Sequence, residues 1–202
     1  PLPNYKRKKS SAIFIDLDET MLYSTSRLVE QKKPDYYYGD LVGYHRPGAV
    51  EFLRFCRAQF EYVIVFTAGA PAYAQAMVES LQKRSGVKFD FVFDRRACIE
   101  ETENTGFLEY WQKFVKHLSS LRNILLPKDV AERIDWDDTL LIDDLAHNAR
   151  ENLKQTVIVP KYSRRTTENL EEDDWLPRLQ KFLDSKPQGQ KWSAVEKLFW
   201  FL

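Results

Sequence analysis

Two pairs of carboxylates and one threonine carry the chemistry open to this sequence. Asp16-Leu17-Asp18-Glu19-Thr20 follows the apolar run Ala12–Ile15, Thr67-Ala68-Gly69 follows Tyr62–Phe66, and Asp143-Asp144 follows the run 139–142. A D-x-D pair alone reads as a turn, because Asp side chains bond nearby backbone amides. A second pair at another strand end changes that reading. Four carboxylates at one edge repel each other, and a cation relieves the repulsion; hard oxygen donors of this kind suit Mg²⁺. Such a site attracts phosphate oxygens, and Thr67 can offer them its hydroxyl and its backbone amide. One carboxylate can act as nucleophile and form an aspartyl-phosphate. Another can protonate the leaving oxygen and then activate water. A metal and a lysine would stabilise charge on the transferring group.

These residues work together only if the chain brings them to one place. Short β-branched and aromatic runs at 12–15, 62–66, 89–93, 139–142 and 156–159 read as strands buried on both faces. Helical patterns cover 49–59, 71–84, 109–121 and 146–153, with Pro71 suited to a first helical position. Two further helices are expected at 175–183 and 192–202, joined through 186–190. Alternation of strand and helix predicts a parallel sheet covered by helices, an α/β fold of three layers. In such folds ligands bind beyond the carboxyl ends of the strands. All three chemical clusters fall there.

Composition narrows the classes. The 202 residues include 30 Lys+Arg against 30 Asp+Glu, a balance that disfavours a dedicated nucleic-acid binder. With 13 Phe, 10 Tyr and 5 Trp the chain has ample apolar surface to bury, so one folded domain over 1–202 is expected. Cys56 and Cys98 are the only cysteines, which excludes a disulfide scaffold and suggests reduced thiols. The longest uncharged run, 62–78, contains Gly69 and Pro71 and is a poor membrane span. The chain begins at Pro1 with no signal-peptide pattern and reads as an excised piece, with 1–10 a basic tail around Lys6-Arg7-Lys8-Lys9. An intracellular setting, cytoplasmic or nuclear, is expected.

The motifs resemble those of haloacid dehalogenase superfamily phosphatases. More narrowly they resemble the branch that includes phosphatases of the RNA polymerase II carboxy-terminal domain. The residues that carry the likeness are Asp16-Leu17-Asp18-Glu19-Thr20, Arg46-Pro47-Gly48, Phe60 to Ala68, Phe114-Val115-Lys116 and Leu141-Ile142-Asp143-Asp144. The resemblance implies a three-layer Rossmann-like fold with a central parallel sheet. It implies Asp16 as nucleophile, Asp18 as general acid/base, and Thr67, Ala68 and Lys116 as phosphoryl binders, with Lys113 a neighbouring alternative for the lysine. It implies Mg²⁺ held by Asp16, Asp18 through its carbonyl, and Asp143, with Asp144 near or in its shell. The expected reaction is phosphomonoester hydrolysis through an aspartyl-phosphate.

Chain length speaks to the substrate. Neither 25–45 nor 94–110 is long enough for a folded cap domain, so no large cap is expected and the cleft should be open. An open cleft admits a phosphorylated segment of a protein, with Ser or Thr favoured by the resemblance and Tyr left open. Tyr36, Tyr37 and Tyr38 either border that cleft or pack a hairpin. Lys161, Arg164 and Arg165 follow the last strand and are candidates for its rim, where they would contact acidic or phosphorylated residues flanking the substrate site. An insert at 123–135 is a second candidate for shaping the rim. Glu171-Glu172-Asp173-Asp174 favours the start of the next helix and needs no other role. A cysteine phosphatase is excluded: C-x5-R would need Arg where Tyr62 and Asn104 stand. Two other readings are an open-site small-molecule phosphatase and a receptor on the same fold. Retention of both Asp16 and Asp18 favours an enzyme over the receptor.

Overall fold

The structure, a computed structural model, describes residues 11–29, 32–104, 110–164 and 170–195. The basic tail, Arg165 and the end of the expected 192–202 helix lie outside them; the described part of that segment is a single turn at Trp192–Ala194. In chain order, β1 (Ala12–Ile15), β2 (Leu22–Thr25), β3 (Tyr36–Tyr38) and β4 (Leu41–His45) precede α1 (Ala49–Gln59). Next come β5 (Tyr62–Phe66), α2 (Pro71–Ser85), β6 (Phe91–Phe93), β7 (Ile99–Asn104) and β8 (Tyr110–Val115). Then follow α3 (Leu118–Ser120), α4 (Lys128–Arg133), β9 (Leu140–Asp143), α5 (Ala146–Ala149), β10 (Thr156–Ile158) and α6 (Trp175–Asp184).

The main sheet is parallel, in the order β10-β9-β1-β5-β6. Successive side chains on a strand point to opposite faces, and both faces here are apolar. Ile13, Ile15, Val63, Val65, Leu140 and Ile142 pack with residues of α1, α2 and α6. Phe14, Ile64, Phe66 and Leu141 pack on the other side with Leu118, Leu121, Val130 and Ile134. The three layers follow directly: a strand buried on both faces needs a helical layer on each.

The expected helix over 109–121 is a correction. Its first half is β8, paired antiparallel with β7, and helix begins only at Leu118–Ser120, running on into a π-helical turn at Leu121–Leu125. Tyr110, Trp111, Phe114 and Val115 are strand-favouring types, and a short apolar run fits either period. The segment 146–153 is also less regular than expected. It breaks after α5, with Asn152 at φ −128° and ψ 24° inside the following turn. The insert at 123–135 builds core rather than rim, since Leu126, Val130 and Ile134 are buried in the second apolar cluster.

The segment after the first motif forms a small antiparallel sheet, β2-β4-β3. Tyr36 faces Gly43 across it, and a Cβ at Gly43 would lie 1.8 Å from Tyr36 Cζ. The chain then turns at Gly48, whose φ of +79° suits glycine and which lies against Pro177 of α6. Arg46, 1% exposed, locks this corner. Its guanidinium donates to both carboxylate oxygens of Asp173, at 2.7 and 2.9 Å, and to the Thr20 carbonyl at 3.1 Å. Asp173 therefore has a partner the sequence reading did not foresee.

Candidate active site

β1, β5 and β9 end side by side, so the residues after them converge. The Asp16 amide donates to the Ile142 carbonyl at 2.9 Å, tying the first loop to the end of β9. Asp16, Asp143 and Asp144 each present a carboxylate oxygen, and these lie within 4.8 Å of one another. Their side chains are only 7%, 0% and 3% exposed. Such a concentration of buried negative charge demands compensation.

Lys116 supplies part of it. Its Nζ donates to Asp16 Oδ1 at 2.5 Å and to Asp143 Oδ2 at 2.7 Å, fully buried. Burial works against a charged amine, yet Asp143 and Asp16 outweigh it and hold the lysine pKa above its ordinary value. The residue enters from the loop beyond β8, not from a helix. That loop is clamped: the Lys116 amide donates to the Asn148 carbonyl at 2.8 Å. Asn152 Nδ2 donates to the Lys116 carbonyl at 2.5 Å, while Asn152 Oδ1 accepts the Leu118 amide at 3.1 Å. Lys113 lies back in β8, opposite Glu101, outside this cluster.

The carboxylates titrate unusually. Burial raises Asp16 well above the ordinary carboxylate range, with Asp143 and Asp144 pushing the same way and Lys116 pulling it down. Burial and Asp143 push Asp144 up to about 6. Asp144 Oδ1 accepts the Thr20 hydroxyl at 3.3 Å. Asp144 Oδ2 is buried without a hydrogen-bond partner among the described residues, with Lys161 Nζ 3.5 Å away. An orphaned carboxylate oxygen beside two more carboxylates, with one buried lysine among three anions, fits a divalent cation of the Mg²⁺ type.

Asp18 stands apart from that triad. Its carboxyl accepts the Tyr73 hydroxyl, and burial raises its pKa. Thr67 and Asp18 both border Gly69: a Cβ at that glycine would meet Thr67 Oγ1 at 3.3 Å and Asp18 Oδ2 at 3.5 Å. The Thr67 amide bonds the Phe93 carbonyl at 2.9 Å, so only its hydroxyl faces a ligand, a correction to the expectation of two donors.

A cleft of about 530 Å³ opens over these groups. Asp16, Asp18, Thr67, Ala68 and Asp144 line it, with Tyr38, Leu41 and Leu145 on its sides. Of the three consecutive tyrosines, Tyr38 borders the cleft, Tyr36 is buried in the small sheet, and Tyr37 is 70% exposed and does not line it. Arg164 is exposed and not among the lining residues. The basic group at the mouth is Arg95, whose Nε donates to the Ala68 carbonyl at 3.1 Å. Lys161 contributes nearby, bonded to Glu19 at 2.7 Å.

Sequence reasoning missed Arg95, Asn152 and Tyr73. For Tyr73 a signal existed: Pro71 fixes the first residue of α2, which puts Tyr73 in the first turn, next to the end of β5. For Asn152 none did, because its role depends on a break in a helical pattern.

The model of one family, the NLI interacting factor-like phosphatases, matches residues 11–192. The chain belongs to that family. Among solved structures it is similar to the fission yeast RNA polymerase II CTD phosphatase Fcp1 bound to beryllium fluoride. That match has a TM-score of 0.56 and 15% identity, and covers 86% of this chain and 61% of the other. A second structure, of Fcp1, an essential RNA polymerase II CTD phosphatase, aligns at a TM-score of 0.49 and 16% identity over 92% of this chain and 58% of that one. The chain thus spans about three fifths of the length of these two proteins. At this level of identity the likeness speaks for the fold, which is the one expected. No curated protein matches the sequence.

Proposed function

We propose that this chain is a Mg²⁺-dependent phosphoprotein phosphatase acting on phosphoserine or phosphothreonine in an extended protein segment. The observation that carries the reading is the convergence of Asp16, Asp143, Asp144 and Lys116 at one end of the sheet, with Asp16 and Asp144 lining an open cleft and Asp143 and Lys116 buried beside them. Asp16, Asp143 and Asp144 would hold the ion, with the Asp18 carbonyl completing the set that the family resemblance implies. When bound, the ion supplies positive charge opposite the phosphoryl oxygens.

The protein's own groups divide the remaining work. Asp16 attacks phosphorus, and the bond to the substrate oxygen breaks as Asp18 gives that oxygen a proton. Asp18 then takes a proton from water, which attacks the aspartyl-phosphate and restores Asp16. Lys116 favours the ionised form of Asp16 against its burial and offers positive charge to the transferring group. The Thr67 hydroxyl and the Ala68 amide would hold phosphoryl oxygens, as the family resemblance implies. Arg95 offers a charge-assisted contact to an acidic or phosphorylated flank, a role the sequence reading gave to Arg164 and Arg165.

The open cleft favours a peptide over a small metabolite. The test is release of inorganic phosphate from a panel of phosphopeptides and sugar phosphates, with and without Mg²⁺. Release from phosphoserine or phosphothreonine peptides, abolished by a chelator and restored by Mg²⁺, is the expected result. Turnover of sugar phosphates alone would replace the substrate class, and phosphotyrosine turnover would replace the residue preference.

A further inference from the structure

Asp18 does not stand free in the cleft. Its Oδ1 accepts the hydroxyl of Tyr73, in the first turn of α2. The Tyr73 oxygen lies 2.6 Å from Ser24 Oγ in β2, and Ser24 Oγ lies 2.8 Å from the Tyr36 hydroxyl in β3. Each hydroxyl has one proton to give. Since an ionised carboxylate only accepts, the Tyr73 proton points to Asp18. The Ser24 proton is then free for Tyr73, and the Tyr36 proton for Ser24. The chain has one direction, from the small sheet to the carboxylate.

The small sheet is shaped to keep this chain. Tyr36 fits because Gly43 opposite it has no side chain. Tyr38, on the same strand, meets the Tyr73 ring edge-on at 5.5 Å. Two elements outside the parallel sheet therefore converge on one hydroxyl. With Oδ1 occupied, Asp18 leaves Oδ2 beside the space that Gly69 keeps open, which Thr67 Oγ1 also borders.

We propose that Tyr73, Ser24 and Tyr36 form a positioning relay that fixes the rotamer of Asp18 and assigns Oδ2 as its proton-transferring atom. This rests on the phosphatase reading above. The relay serves both halves of the reaction. With Asp18 protonated on Oδ2, the carbonyl-like Oδ1 still accepts from Tyr73. As the phosphorus–oxygen bond of the substrate breaks, the Oδ2 proton moves to the leaving oxygen. Asp18 becomes a carboxylate with the same partner, and Oδ2 later removes a proton from the attacking water. No proton moves along the hydroxyl chain.

The test is Tyr73→Phe, which keeps the ring and removes only the hydroxyl, with Ser24→Ala as the second variant. On a phosphoserine peptide, kcat should fall roughly 10- to 100-fold with KM little changed, as expected when an oriented acid/base group is loosened. On para-nitrophenyl phosphate, whose leaving group needs no proton, the first-turnover burst should survive while the steady rate falls. Ser24→Ala should act in the same direction, and the double variant should lose less than the product of the two single effects, because both act through one chain. A defect of packing would slow the burst and the steady rate together, and that outcome overturns the relay. So does an unchanged kcat in Tyr73→Phe. An inactive parent chain would instead count against the phosphatase reading itself, so the two failures are distinguishable.

Discussion

Lys116 is buried between Asp16 and Asp143, with none of its side chain exposed to solvent. Replacing it with Met removes the cation from among three buried carboxylates. The expected loss is about 3–5 kcal/mol of stability, since breaking a buried pair leaves its partners uncompensated. Denaturant unfolding with and without Mg²⁺ checks this: added Mg²⁺ should recover more stability in Lys116→Met than in the parent chain. Asp16→Asn is the converse case. It relieves repulsion with Asp143 and Asp144, so the fold should persist while phosphate release stops; retained turnover would remove Asp16 from the nucleophile role. At this scale the sequence was informative where chemistry and strand ends coincide, as at Asp16, Thr67 and Asp143. It was silent on Asn152, because a buried amide that clamps a loop has no pattern to announce it.

Secondary elements show where the reading was ambiguous. The strands of the parallel sheet are continuous apolar runs and could be read directly, whereas β8 mixes Trp, Gln, Lys and Phe and fits a helix as well as a hairpin. Only pairing with β7 decides, and pairing is a long-range fact. The small sheet offers a sharper test. Gly43→Ala places a methyl inside the Tyr36 ring position, so Tyr36 must move; the cost should be about 1–3 kcal/mol, typical of overpacking. Phosphopeptide turnover should fall with it, because Tyr36 and Tyr38 both belong to β3. Thermal unfolding and kcat measured on one preparation would check both effects. Arg46→Met should be costly for a different reason, leaving Asp173 buried without its partner and the Thr20 carbonyl without a donor.

For the molecule as a whole, pH dependence is set partly by His45, 6% exposed at the end of β4. Burial lowers its pKa from 6.5 to about 4, with Arg84 and Lys32 adding to the effect and Asp35 opposing it. The imidazole is therefore neutral in the fold, while the unfolded chain takes up a proton below about pH 6.5. Its contribution is complete above that value and is lost as pH falls toward about 4, an effect of at most about 3 kcal/mol. Unfolding free energies between pH 7 and 4 should fall less steeply in His45→Gln than in the parent; parallel curves would exclude His45 as the source. The layered architecture was legible because the runs and their order leave few topologies. The strand order β10-β9-β1-β5-β6 also dictates a schedule for biosynthesis. Asp16 is translated first of the four, on the strand that becomes the middle of the sheet, while Lys116 follows 100 residues later and Asp143 and Asp144 after that. On the ribosome the nucleophile thus waits without countercharge or metal partners until these later segments have emerged and paired.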